Sequence, residues 1–279
     1  MKTLKLILQY DGTEFSGWQT QPGKRTVQAT LEAAFKQLSG HSIAVVGAGR
    51  TDAGVHALAQ VAHIHLPQTV HESFKDLRYS LNSILPPDLG VLKIEVVSKN
   101  FHAIRSAKKK TYLYQIWNSP IKPVLERRWV WPVPHPLDVK AMKKAARHLL
   151  GKHDFRAFEG AQAGAVTKVR TLYRIMLGKG SCRGGTLRCW PLIVGQPAEG
   201  SPPSPPFATL ISIEITGNGF LKHMVRNIVG TLVEVGLGKR TPQEMKKILQ
   251  SKDRRQAGQT APAQGLLLKS VNYGRSARR

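Results

Sequence analysis

The chain has 279 residues, 41% of them hydrophobic, which is enough apolar material for a folded core and excludes a disordered chain. Lys and Arg number 42 against 17 Asp and Glu, a formal net charge of +25. An excess this large points to a polyanionic partner, and nucleic acid leads over anionic membrane because no basic amphipathic helix stands out.

The opening MKTLKLILQYDG contains TLKLILQY, which alternates and reads as a strand. Its apolar stretch is too short for a signal peptide, and no later run approaches the ~20 apolar residues of a membrane span, so a cytoplasmic protein without a membrane partner is expected. TVQATLEAAFKQL places Val27, Leu31, Ala34, Phe35 and Leu38 at helical spacing. HSIAVVGA and LAQVAHIHL read as strands, SFKDLRYSLNSIL as a helix ending before Pro86-Pro87, and GVLKIEVVS as a strand. The order is βαββαβ.

The second half predicts the same order. KTYLYQIWN is a strand, and LDVKAMKKAARHLLG a helix with Gly151 as its stop. VRTLYRIML and FATLISIEI are strands. GFLKHMVRNIVGTLVEVG is a helix with Phe220, Met224, Val225, Ile228, Val229, Leu232 and Val233 on its apolar side. A further helix starts at Thr241 as N-cap, with Pro242 at its first position and Glu244 at its third. GLLLKSVNY closes the chain as a strand. The fold class expected is α+β, built from two tandem ferredoxin-like βαββαβ halves around a cleft. The expected domains are 1–105, 106–273 and a basic tail, 274–279. The Gly-, Pro- and Ser-rich stretch 178–206 reads as an extended loop interrupting a hairpin, and Cys182 and Cys189 within it fit no common zinc spacing.

The stretch VVGAGRTDAGVHALAQVAHIHL, Val45 to Leu66, combines two short glycine steps with an arginine, an aspartate and an apolar run. It is not a phosphate loop: no GK[ST] follows the glycines, Asp52 stands where a dinucleotide fingerprint needs its third glycine, and a strand follows rather than a helix. Two readings remain open from the residues alone. One is a tight bend in which the glycines allow positive φ and Asp52 caps a turn through its own backbone. The other is an uncrowded loop that presents Arg50 and Asp52 to a substrate, with the carboxylate kept ionised as nucleophile or base by a basic site.

GAGRTDAGVHALAQVAHI resembles the signature of the TruA family of tRNA pseudouridine synthases. RSAKKKTYLYQIWN resembles that family's second motif, HDFRAF with VRTLYRI its third region, GNGFLKHMVRNIVGTLVEVG its C-terminal helix, and TAPAQGLLL its closing loop and strand. The resemblance implies that Asp52 is the catalytic aspartate and that Arg50 beside it helps open the stem. It implies that Tyr112 stacks on the target uracil and that Arg226 pairs with the aspartate. It also implies a homodimer that needs no cofactor and isomerises uridine in the tRNA anticodon stem-loop, at positions 38 to 40. The 178–206 stretch departs from the family pattern, in which this connection is a short hairpin.

Lys108, Lys109 and Lys110, next to the tyrosine strand, are candidates for phosphate contacts, as are Arg105 and Arg156 and, more weakly, Arg170 and Lys222. No metal site is expected; His56, His63 and His65 read as strand and loop residues. The rival to an enzyme is a non-catalytic RNA-binding module on the same scaffold, which would have no need of Asp52.

Overall fold

The computed structural model describes residues 2–66, 74–161, 166–180 and 209–274. The order is β1 (Lys2–Tyr10), α1 (Val27–Ser39), β2 (Val46–Gly47), β3 (His56–Leu66), α2 (Phe74–Ile84), β4 (Leu89–Val97), β5 (Lys109–Asn118), β6 (Trp131–Val133), α3 (Val139–Arg147), β7 (Gly151–Asp154), β8 (Val169–Gly180), β9 (Thr209–Gly217), α4 (Met224–Gly236), α5 (Glu244–Ser251) and β10 (Leu266–Asn272). The fold is α+β, with mostly antiparallel pairing and five α-helices among the described residues. It divides into two compact units, Met1–Thr111 with Leu267–Arg279, and Tyr112–Leu266.

In the first unit β1 lies between β3 and β4, antiparallel to both. Its alternation has a direct cause: Leu4, Leu6 and Leu8 are fully buried on one face. Helix α1 begins at Thr26, whose hydroxyl accepts from the Ala29 N–H, and stops at Gly40 in the left-handed region, φ 70°. Val27, Leu31, Ala34 and Phe35 form its buried stripe. Leu77 and Leu81 of α2 complete the same core. The closing strand, which follows the second half in the sequence, lies in this unit: β10 runs parallel to β3, Leu267 opposite His56 and Leu268 opposite Ala57.

In the second unit the strand order is β5-β9-β8-β7, and β6 pairs parallel with β5 over Ile116–Asn118. Helix α3 starts at Asp138, whose carboxylate accepts from the N–H groups of Lys140 and Ala141 at 2.8 and 3.0 Å. Helix α4 is buried along most of its length, against a core that includes Tyr114, Phe155, Phe158, Ile213 and Met142.

Several expected boundaries change. The helix expected to stop at Gly151 ends at Arg147; Gly151, φ 98°, opens β7 instead. Phe220 lies before α4, which starts after His223, and its ring packs on Tyr112. Strands β6 and β7 had no sequence signal, being three and four residues long. At α5 the Glu244 carboxylate accepts from both the N–H and the hydroxyl of Thr241, at 2.6 and 2.9 Å, so Thr241 does anchor this start although regular helix begins at Glu244. Most of the 178–206 stretch, with both cysteines, and the end of the basic tail lie outside the described residues.

Candidate active site

The loop from Ala48 to Val55 joins β2 to β3 and holds Asp52. It leaves the sheet stepwise. The Ala48 N–H donates to the Val61 carbonyl at 2.6 Å, and Lys110 Nζ donates to the Ala48 carbonyl at 2.6 Å. Gln60 Nε2 donates to the Gly49 carbonyl at 2.8 Å, and the Thr51 hydroxyl meets the Tyr10 phenol at 2.8 Å. The Thr51 carbonyl accepts from the Trp18 N–H at 3.0 Å. The Asp52 carbonyl accepts from the Val55 N–H at 3.2 Å across a tight turn, with Gly54 at φ 75°. Between these anchors Arg50 is exposed and Asp52 half-buried.

The glycines do not make an open setting. A Cβ on Gly47 would run into the Trp18 indole. The segment between Tyr10 and Trp18 also needs glycine, because a Cβ on Gly12 would collide with the Val55 carbonyl and one on Gly17 would lie 2.7 Å from the Thr51 carbonyl oxygen. Close approach explains these residues, of an indole at Gly47 and of a second backbone segment at Gly12 and Gly17, while Gly17, φ 90°, and Gly54 also need the left-handed region. The loop is clamped, so the Asp52 carboxylate is carried on a fixed support.

Asp11 and His56 support the same corner. His56 Nδ1 lies 3.0 Å from Asp11 Oδ1 and 3.0 Å from the Gly12 N–H. A protonated Nδ1 serves Asp11, and a bare one serves Gly12. Burial raises the Asp11 carboxyl, but hydrogen bonds from His56 and from the Thr13 hydroxyl and N–H outweigh it and hold the group well below the usual carboxylate range. A depressed folded-state pKa stabilises the fold above the unfolded value of about 4 and ceases to do so as pH falls through the folded one. Asp11→Asn is therefore expected to lower stability most above pH ~5, and the gap to the parent should narrow below pH ~4. Urea midpoints at both pH values check this; a gap that does not change with pH would be contrary.

The Arg105 turn and the lysine run belong to this unit as well. Ala103, fully buried, packs with Ala48 and Val61, and Phe101, Val271 and Tyr273 lie against them. The Tyr273 hydroxyl donates to the Ala103 carbonyl at 2.9 Å. Arg105, Lys108 and Lys109 are exposed, whereas Lys110 is half-buried and bound to the Asp52 loop. His63 is a core histidine: its Nδ1 accepts from the Ala103 N–H at 3.3 Å, and burial, followed by His102 and His65, lowers its pKa. No group of three His, Cys, Asp or Glu side chains suited to a metal ion occurs among the described residues.

In the second unit Tyr112 is 8% exposed, its ring edge-to-face with Phe220 at 5.0 Å. Tyr114, two residues on, is fully buried and donates to the Pro262 carbonyl at 2.7 Å. Burial pushes its phenol far up, opposed by the charge of Arg226. Arg226 is half-buried on α4; its Nε donates to the Ala261 carbonyl at 2.7 Å, and its own carbonyl accepts from the Ala261 N–H at 3.1 Å. Behind it stands a support that the helix pattern did not reveal. Asn227, fully buried, donates to the Phe158 carbonyl and accepts from Thr260 Oγ1 at 2.7 Å and Arg254 Nη2 at 3.1 Å. A buried amide on an otherwise apolar helix was its only sequence signal. Arg156 is exposed, 3.3 Å from Asp154, beside an open cavity that Lys252, Arg254 and Arg255 also line.

The profile of the family described as tRNA pseudouridine synthase matches residues 6–105 and 145–274, and the chain belongs to that family. Its relatives include proteins named tRNA pseudouridine synthase A. The one from Brevibacillus brevis is 41% identical over 273 residues, covering 98% of this chain and 100% of the relative. That of Thermoanaerobacter sp. strain X514 is 40% identical with the same coverage. That of Shouchella clausii is 42% identical over 277 residues, covering 98% of this chain and 94% of the relative. No described helix is long and apolar enough to cross a membrane.

Proposed function

We propose that this protein isomerises uridine to pseudouridine in tRNA, at positions 38 to 40 of the anticodon stem-loop, with Asp52 as the reacting carboxylate. The observation that carries the reading is the clamped loop of Asp52 within a chain of this family. Isomerisation breaks the C1′–N1 bond, turns the uracil and joins C5 to C1′; C5 gives up its proton to solvent and N1 takes one up, so atoms and electrons balance without an added reagent. Two steps are open to Asp52, attack at C1′ or removal of the C2′ proton. The uridine must first leave the stem, at a cost of a few kcal/mol. Stacking on an aromatic face such as Tyr112 recovers ~1–3 kcal/mol of that. Arg50 helps open the stem, and Arg226 supports the reaction as a cation. A homodimer working in the cytoplasm completes the reading.

The test is tRNA tritiated at uracil C5, whose label is released as C5 becomes the glycosidic carbon; no release by the parent protein would overturn the reading. Arg105, Lys108 and Lys109 are read as phosphate contacts. Arg105→Glu and Lys108→Glu are each expected to weaken tRNA binding and to lower the slope of log affinity against log salt by roughly one for each phosphate left unneutralised, the rate at saturating tRNA being kept. A salt slope equal to the parent's would remove these residues from the RNA surface.

A further inference from the structure

We infer that Gln60 and Tyr10 are positioning residues for the Arg50–Asp52 loop, acting through the Gly49 carbonyl and the Thr51 hydroxyl. The inference rests on the reading of Asp52 as the reacting carboxylate. Gln60 belongs to the inward series of β3 with Ala62, Ile64 and Leu66, yet it is a fully buried amide. A polar group there costs free energy unless its hydrogen bonds are made.

Their direction can be assigned. The Gly49 carbonyl can only accept, so the Gln60 atom 2.8 Å away is the amide nitrogen. The same nitrogen lies 3.4 Å from the Tyr10 phenol oxygen and donates there with its second hydrogen. That leaves the phenol proton for Thr51 Oγ1 at 2.8 Å. Gln60 Oε1 accepts from the Val61 N–H at 3.2 Å. Burial pushes the Tyr10 phenol up to about 12, against its hydrogen bonds with Thr51 and Gln60, so it keeps its proton at neutral pH. The register of β1 on β3 slips between Leu8 and Tyr10, as the phenol reaches the loop. One amide–phenol pair thus grips the chain on both sides of Arg50, one residue before Asp52. The bonds hold the loop rather than the strand.

The test uses Tyr10→Phe and Thr51→Val, each of which removes one end of the phenol–hydroxyl bond with little change of shape, in the full-length chain with tRNA. Each is expected to slow single-turnover pseudouridine formation by about tenfold while leaving tRNA affinity within about twofold of the parent. The double variant should be no slower than the slower single one, because both break the same bond. Thr51→Ser, which keeps the hydroxyl, should restore the parent rate. Near-ultraviolet circular dichroism at the assay temperature confirms that each variant is folded. Single-variant rates within about twofold of the parent, or losses that multiply in the double variant, would overturn the inference. Asp52→Ala separates it from its basis. An inactive Asp52→Ala beside a Tyr10→Phe of parent rate defeats only the inference, whereas an active Asp52→Ala defeats the reading beneath it.

Discussion

Asp52→Ala is expected to reduce tritium release from C5-labelled tRNA by roughly 10⁴-fold or more, while tRNA affinity stays within severalfold of the parent. The two readouts part for a physical reason. Affinity for RNA comes chiefly from neutralised phosphates, and a carboxylate contributes none of that. The anchors of its loop are the Gly49 carbonyl, the Thr51 hydroxyl and carbonyl, and the turn from the Asp52 carbonyl to the Val55 N–H. These anchors do not use the Asp52 side chain, so each of them remains when it is truncated. Asp52→Asn, nearly isosteric and uncharged, should be as inactive as the alanine variant. Release near the parent rate by either variant would refute the assignment and would favour the rival reading of an RNA-binding module.

The second large effect is expected at Gly230, in the middle of α4. Helix propensity alone favours alanine there by about 1 kcal/mol. Packing opposes it: a Cβ would run into the Gln259 carbonyl oxygen and lie 3.3 Å from the Ala261 nitrogen. That segment cannot step aside cheaply. The Gly258 N–H donates to Thr231 Oγ1 at 2.9 Å, the Gln259 N–H to Glu234 Oε1 at 2.9 Å, and the Ala261 N–H to the Arg226 carbonyl at 3.1 Å. Overpacking of about 1–3 kcal/mol, with disturbed hydrogen bonds of about 1 kcal/mol each, outweighs the propensity gain. Gly230→Ala should therefore be destabilised by about 2 kcal/mol, a fall in Tm of roughly 4–8 °C for a unit of this size. Because the Ala261 carbonyl also holds Arg226, turnover should fall at temperatures where the variant is still folded. Calorimetry and tritium release check both parts, and a Tm at or above the parent's would show that propensity wins.

The helix around Gly230 was legible in the sequence because Met224, Ile228 and Leu232 repeat at helical spacing, and such periodicity is local. The alternation of β1 and the spacing of Val27, Leu31, Ala34 and Phe35 in α1 were legible for the same reason. The ends that were missed involve groups distant in sequence or too few to show a period. Arg147 ends α3 where Gly151 had seemed the natural stop, and the strands β6 and β7 are too short to alternate visibly.

The site divides in the same way. The sequence by itself determined the α+β class, the basic character that suits an RNA partner, and the string GRTDAGVHA that singles out Asp52 and Arg50, because composition, period and motif are properties of neighbours along the chain. Only the tertiary structure decided what holds that string. Trp18 against Gly47, Gly12 against Val55, and Gln60 with Tyr10 on Gly49 and Thr51 bring together residues from 10 to 60, and no local pattern encodes which side chain will fill a given gap. Lys110 reads as one of three candidate phosphate contacts until its amine is found on the Ala48 carbonyl. Asn227 reads as an ordinary helix residue until Thr260, Arg254 and Phe158 are found around it. A motif nominates the group proposed to react, but close packing and directional hydrogen bonds, which act between residues far apart in the chain, set where that group is held.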